Sequence, residues 1–112
     1  MTNLPTWKDK QNDLDHRKKR QVDERLVSIG QQFEKVGRDQ DALDYYQKAK
    51  NYEAIHRLFE KSIQEGDFFL FKQTVVFDSS WATQENISLA LSNAKKNGKD
   101  IFATKFESYK HD

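Results

Sequence analysis

The sequence predicts an all-α protein of about five to six helices arranged as antiparallel hairpins. Apolar residues recur at the three- and four-residue spacing of helices along most of the 112-residue chain. The chain holds only four glycines and one proline, whereas a β-sandwich or barrel needs turn residues about every eight to twelve positions. Its eight Phe, four Tyr and two Trp are large burial units that disordered chains usually lack.

The first 21 residues differ from the rest of the chain. They contain few apolar residues, and charged residues occupy every helical face of residues 13–20. We therefore predict a flexible, charged N-terminal lead-in over residues 1–21 and a single helical domain over residues 22–112. No stretch rich in proline, glycine or serine divides that domain.

Two helices are predicted at the start of the domain. Five apolar residues at alternating four- and three-residue spacing indicate one side of the first helix: Val22, Leu26, Ile29, Phe33 and Val36. Gly37 is placed to end this helix. Asp39 or Asp41 can cap the second helix, because a carboxylate there accepts backbone N–H groups. The inward side of the second helix holds Ala42, Tyr45, Tyr46 and Ala49.

A third helix is predicted between Asn51, which can cap it, and Gly66, which can end it. Its apolar side comprises Tyr52, Ile55, Leu58, Phe59 and Ile63. Because short connections join consecutive helices, neighbouring helices are forced into antiparallel hairpins.

The segment over residues 67–77 carries two conflicting signals. Its aromatic and β-branched residues favour a strand, but a lone strand among helices would leave its backbone groups without partners. We therefore predict a buried helix. Asp78-Ser79-Ser80 is typical of a turn and cap. Two further helices are predicted after it, one ending at Asn97-Gly98 and one capped by Asp100.

Part of the chain resembles a known helical repeat. Leu26-x-x-Ile29-Gly30-x-x-Phe33 is followed by Ala42-x-x-x-Tyr46, which is similar to the tetratricopeptide repeat over about residues 23–56. Small residues such as Gly30 and Ala42 suit two helices that cross closely. The resemblance implies a short, right-handed solenoid of stacked hairpins.

Two other interpretations of the pattern stay open. The family's proline after the second helix is absent, with Ala54 near that place. Residues 42–49 and 52–59 also look like the short hairpins of coat-protein and transport-type α-solenoids. An ordinary helical bundle whose amphipathic helices match by chance is the third interpretation.

The resemblance implies a function in binding another protein or peptide. On the first helix of the repeat, the ligand-facing residues would be Glu24, Val27, Gln31, Glu34 and Lys35. Their mixed charge lacks the Lys, Arg and Asn cluster with which the family clamps a carboxylate, so a C-terminal carboxylate is not the expected ligand. The main alternative is a self-associating scaffold protein that forms a homodimer through exposed hairpin ends.

The sequence contains few residues that could catalyse a reaction. It has no cysteine and three histidines, and it lacks a glycine-rich phosphate loop. Asp13-x-x-His16 and Glu53-x-x-His56 place a carboxylate and an imidazole on one helix face, but Glu53 and His56 lie on the polar side of their helix, where a metal would be open to solvent. We therefore predict no enzymatic activity, no metal and no cofactor.

One basic run, Arg17, Lys18, Lys19 and Arg20, is a candidate for contact with nucleic acid. Acidic residues flank it, no aromatic residues are interleaved for base stacking, and the formal net charge is only +1. A solvated, charged helix is the preferred interpretation. The chain has no signal-peptide core and no stretch near the ~18 apolar residues of a membrane helix. The sequence thus predicts a soluble cytoplasmic protein that does not bind membranes.

Overall fold

The computed structural model describes residues 22–109. Within that range the chain forms six α-helices and no strand. The helices are α1 (Glu24–Lys35), α2 (Asp39–Ala49), α3 (Tyr52–Glu65), α4 (Phe68–Val75), α5 (Gln84–Lys96) and α6 (Asp100–Ser108), and a 3-10 turn spans Ser79–Trp81. The prediction of an all-α fold is confirmed, and the ambiguous segment over residues 67–77 contains the predicted helix.

Contacts divide the described residues into two compact units, one up to residue 52 and one from residue 53 onward. The first unit holds α1 and α2. The second begins at the start of α3 and holds the remaining helices. The sequence predicts a single domain from residue 22 onward, and the division falls inside that range. The predicted lead-in over residues 1–21 lies outside the described residues.

The helices of the first unit cross where Gly30 lies against Tyr46. Gly30 is buried, and a Cβ atom at this position would lie 2.6 Å from the Cε1 atom of Tyr46, whose side chain is fully buried. A glycine inside a helix costs up to about 1 kcal/mol relative to alanine, and here the absence of a side chain admits the Tyr46 ring. The ends of the hairpin also meet, because the Asp23 N–H donates to the Ala49 carbonyl at 3.2 Å.

The inward side of α1 differs from the predicted stripe. Val27 is 7% exposed, whereas Ile29 is 36% and Val36 is 71% exposed, so the stripe is wrong at Ile29 and Val36. The buried side centres on Gly30. At about 100° of rotation per residue, Val27 lies about 60° from Gly30 around the helix axis and Ile29 about 100° from it. Val36 is the C-cap residue, just beyond the last turn.

Two predicted helix caps are displaced by one residue. Arg38 and Lys99 are the N-cap residues of α2 and α6, and neither forms a side-chain capping hydrogen bond. Asp39 and Asp100 are instead the first helical residues. The preceding Gly37 and Gly98 have φ angles of 81° and 74°, so the chain has already turned and one residue suffices to reach the next helix. A negative charge in the first turn of a helix still interacts favourably with the helix dipole.

The second unit contains a close backbone approach between the α3–α4 turn and α5. Gly66 has a φ of 69°, and a Cβ atom there would overlap the backbone N and the Cα of Ala94. Two side chains of α5 satisfy carbonyl groups at the end of α3. Asn93 donates to the Ile63 carbonyl at 2.8 Å, and Asn97 donates to the Glu65 carbonyl at 3.2 Å.

Aromatic side chains fill the core of the second unit. The Phe71 ring centroid lies 5.3 Å from that of Phe59 on α3 and 5.3 Å from that of Phe106 on α6. Trp81 in the 3-10 turn lies 5.1 Å from Phe59. Tilted and edge-to-face pairs at these distances are the favoured arrangements of aromatic rings. The aromatic residues that the sequence supplies therefore join α3, α4, α6 and the 3-10 turn.

We expect Gly30→Leu to lower the free energy of unfolding by about 1–3 kcal/mol or more, because the new side chain would enter the space of the buried Tyr46 ring. Gln32→Leu adds the same side chain at an exposed position of α1 and should change stability by less than about 0.5 kcal/mol. Urea unfolding followed by circular dichroism measures both. A Gly30→Leu protein as stable as the wild type would contradict the close crossing of α1 and α2.

Gly66→Ala and Gly98→Ala form a matched pair. Both substitutions place a side chain on a left-handed backbone, at a cost of about 1–2 kcal/mol. At Gly98 the new Cβ would meet nothing within 4 Å, whereas at Gly66 it would meet the backbone of Ala94. Gly66→Ala should therefore cost about 1–3 kcal/mol more than Gly98→Ala, as measured by thermal unfolding. Equal losses would show that the turn does not touch α5 in solution.

Candidate functional site

Three of the predicted partner-binding residues share one exposed side of α1. Glu24, Gln31 and Lys35 are all exposed, and their seven- and four-residue spacing aligns them along the helix. The Asp23 side chain caps α1 by accepting the Arg25 N–H at 3.0 Å and the Leu26 N–H at 3.4 Å. Because α1 is capped and packs against α2 at Gly30, the backbone that carries these side chains has a defined conformation.

Glu34 is only half-buried, and it lies at the edge of this side of α1. Its Oε1 atom accepts a hydrogen bond of 2.7 Å from the Tyr46 hydroxyl. A carboxylate acceptor makes such a bond stronger than a bond between neutral groups. Glu34 is thus oriented by the α1–α2 crossing, and one of its oxygens already has a partner.

Val27 does not belong to the exposed side. It is 7% exposed and lies within the buried part of α1, so the predicted placement of Val27 on a ligand-facing surface does not agree with its burial. The reason is its position about 60° from Gly30 around the helix axis. Ser28 is exposed and lies four positions after Glu24. Ser28 was not among the predicted residues, although its four-residue spacing from Glu24 and three-residue spacing to Gln31 place it on the same side. We call Glu24, Ser28, Gln31 and Lys35 the α1 outer face.

Cations and aromatic rings form a layered stack elsewhere on the first unit. The rings of Phe33 and Tyr45 stack with their centroids 5.5 Å apart. The Arg38 guanidinium lies 5.3 Å from the Phe33 centroid, and the Lys48 ammonium lies 5.4 Å from the Tyr45 centroid. Arg38 also forms an ion pair with Asp41 at 2.7 Å. Both cations cover half-buried rings, which is a stabilising arrangement at a surface.

The carboxylate–histidine residues of α3 lie on its polar side. Glu53, His56 and Glu60 are exposed, and the Nδ1 atom of His56 is 3.8 Å from the nearer Glu60 oxygen. The imidazole lies 4.9 Å from the Trp81 ring in an edge-to-face arrangement. Within residues 22–109, no three His, Asp or Glu side chains converge to hold a metal ion. His56 thus packs beside a tryptophan at the surface of the second unit.

The candidate nucleic-acid contacts, Arg17, Lys18, Lys19 and Arg20, lie outside the described residues. Contact between these four residues and nucleic acid therefore stays a prediction. Across the described residues, the helices are too short or too polar to cross a membrane.

Comparison with known proteins gives no relative. No protein-family model matches the chain, and no curated protein or solved structure is significantly similar to it. The resemblance to tetratricopeptide repeats therefore stays a prediction that rests on the residues around Gly30 and Ala42.

Tyr46→Phe removes the hydroxyl that holds Glu34 while keeping the ring against Gly30. We expect the free energy of unfolding to fall by about 1.5 kcal/mol or more, because hydrogen bonds to charged groups contribute about 1.5–3 kcal/mol. Tyr52→Phe is the control. Tyr52 is 51% exposed, so the loss of its hydroxyl should leave the free energy of unfolding unchanged. Denaturant unfolding compares the two variants. A Tyr46→Phe protein of unchanged stability would mean that the bond to Glu34 contributes nothing.

Proposed function

We propose that the chain is a protein-interaction module that binds a protein or peptide partner through the α1 outer face. The observation that carries this proposal is the alignment of four exposed polar side chains on the side of α1 that does not contain Gly30. An acid, a hydroxyl, an amide and a lysine on one rigid helix offer donors and acceptors of both charge signs. Such a face suits a folded or helical partner of mixed charge.

The succession of helices supports the same proposal. Each of three consecutive helix pairs, α1–α2, α3–α4 and α5–α6, is joined by a turn that contains a glycine of positive φ. These glycines are Gly37, Gly66 and Gly98. Helix–turn–helix units in succession are the building blocks of tetratricopeptide-type proteins, which use helical surfaces of this kind to bind other proteins. The proposed activity is binding without catalysis, metal or cofactor.

Gln31→Arg tests the α1 outer face. The new cation lies close to Lys35 and changes the charge of the face without altering the buried side of α1. Gln64→Arg is the matched control, since Gln64 is also exposed but lies on α3. We expect Gln31→Arg to weaken partner binding about tenfold, equivalent to about 1.4 kcal/mol, and Gln64→Arg to leave it unchanged.

The measurement is affinity purification of the tagged full-length chain from native lysate, treated with nuclease and quantified by mass spectrometry. A stoichiometric protein that is retained by the wild type and Gln64→Arg, and lost with Gln31→Arg at equal stability, supports the proposal. Equal recovery with all three proteins would exclude this face. Light scattering of the purified chain detects a homodimer, and loss of all partners on nuclease treatment would favour the basic run Arg17–Arg20 instead.

A further inference from the structure

The second unit carries a surface whose chemistry differs from that of the α1 outer face. Phe69 on α4 and Phe102 on α6 meet edge to face, with ring centroids 5.4 Å apart. Each is followed three positions later by a lysine, so that both helices repeat the pattern Phe-x-x-Lys. We call Phe69, Lys72, Phe102 and Lys105 the aromatic–lysine patch.

The aromatic part of this patch is open to solvent. Phe69 is 49% exposed, although its neighbour Phe68 is only 8% exposed and Phe71 is fully buried. Phe102 is half-buried. Val76, which is 80% exposed, lies two turns after Phe69 on the same side of α4. The patch therefore continues the aromatic core of the second unit outward to the surface.

The lysines of the patch have no carboxylate partner within the described residues. The Lys105 ammonium lies 5.8 Å from the Phe69 centroid, and the Lys72 ammonium lies 6.0 Å from the Phe68 centroid. Lys95 on α5, by contrast, forms an ion pair with Glu107 at 3.5 Å. Asp67 and Asp100 are at the starts of the same two helices, but each is about 140° around its helix from the lysine. Among the described residues, both ammonium groups thus lie near aromatic rings and not beside a carboxylate.

We infer that the aromatic–lysine patch binds an acidic peptide segment of a partner protein, one that carries a large apolar side chain between Asp or Glu residues. The apolar side chain would cover Phe69 and Phe102 and remove them from water. The flanking carboxylates would accept hydrogen bonds from Lys72 and Lys105. Charge complementarity selects this ligand, because an uncharged apolar segment would leave both ammonium groups unpaired.

An anionic membrane surface is the other chemistry that attracts exposed aromatic rings beside lysines. Each lysine near such a surface contributes only about 1 kcal/mol, and stable attachment requires several basic residues or a lipid chain in addition. Two lysines on two short helices fall below that requirement, whereas they suffice to flank one peptide side chain. The peptide is therefore the favoured ligand.

The test uses the full-length chain, labelled with ¹⁵N, and an acetylated, amidated peptide with Leu-Trp at its centre and two glutamates on each side. Titration followed by NMR should shift the amide signals of residues 68–76 and 101–106. The affinity should fall as salt is added, and a peptide with lysines in place of the glutamates should not bind. No shifts with the acidic peptide, or shifts confined to α1, would overturn the inference.

Single variants locate the charges and the rings. Lys105→Glu should lower the affinity for the acidic peptide about tenfold or more. Lys96→Glu is the same change at an exposed position of α5, and it should leave the affinity within about twofold of the wild-type value. Phe69→Ser removes the open ring and should also weaken binding, and thermal unfolding verifies that each variant is folded. Unchanged affinity in both Lys105→Glu and Phe69→Ser would refute the site. Binding to anionic lipid vesicles without binding to the peptide would assign the patch to a membrane and likewise refute it.

Discussion

The fold of the second unit depends on the close approach between α5 and the turn after α3. At Gly66 the chain adopts a left-handed backbone and lies against the N and Cα atoms of Ala94, so that a side chain is excluded for two separate reasons. The approach brings the last carbonyls of α3 within reach of Asn93 and Asn97. A helix end that would otherwise need water is thus satisfied by a neighbouring helix. The position of α4, which begins two residues later, follows from the same turn.

A similar but weaker steric constraint at a glycine acts in the first unit. Gly30 lies inside a helix with ordinary backbone geometry, and its neighbour is the ring of Tyr46 and not a backbone. A buried ring resists displacement less than a second main chain does. The Tyr46 ring nevertheless has a double role, because its hydroxyl binds Glu34 while its edge fills the space at Gly30. One tyrosine thereby sets both the rotation of α1 and the direction of a carboxylate beside the proposed binding face.

The two proposed surfaces differ in their chemistry. The α1 outer face is polar and of mixed charge, with its side chains on one capped helix. The aromatic–lysine patch is apolar at its centre and positive at its margin, and it involves two helices that share an aromatic core. Because the ligands expected at the two surfaces differ, the failure of one proposal would leave the other standing. Burial removes several of the remaining aromatic residues from the candidates for binding: Phe59, Phe71 and Phe106 are at most 3% exposed.

Apolar spacing and glycine positions were enough to predict the helical class of the fold and the places where several helices end. Apolar spacing is a local property, and Gly37, Gly66 and Gly98 occupy helix ends because left-handed backbone is cheap only for glycine. The resemblance to a helical repeat predicted Glu24, Gln31 and Lys35 as ligand-facing because they flank the packing positions of the repeat, and all three are exposed. Which side of α1 is buried, by contrast, depends on its contacts with α2. Val27 and Ile29 are both apolar, and the choice between them depended on where the Tyr46 ring of the next helix meets Gly30. The same holds for the aromatic–lysine patch: the pattern Phe-x-x-Lys is visible twice in the chain, but whether a ring is covered and whether a lysine meets a carboxylate depend on neighbours that are distant in sequence.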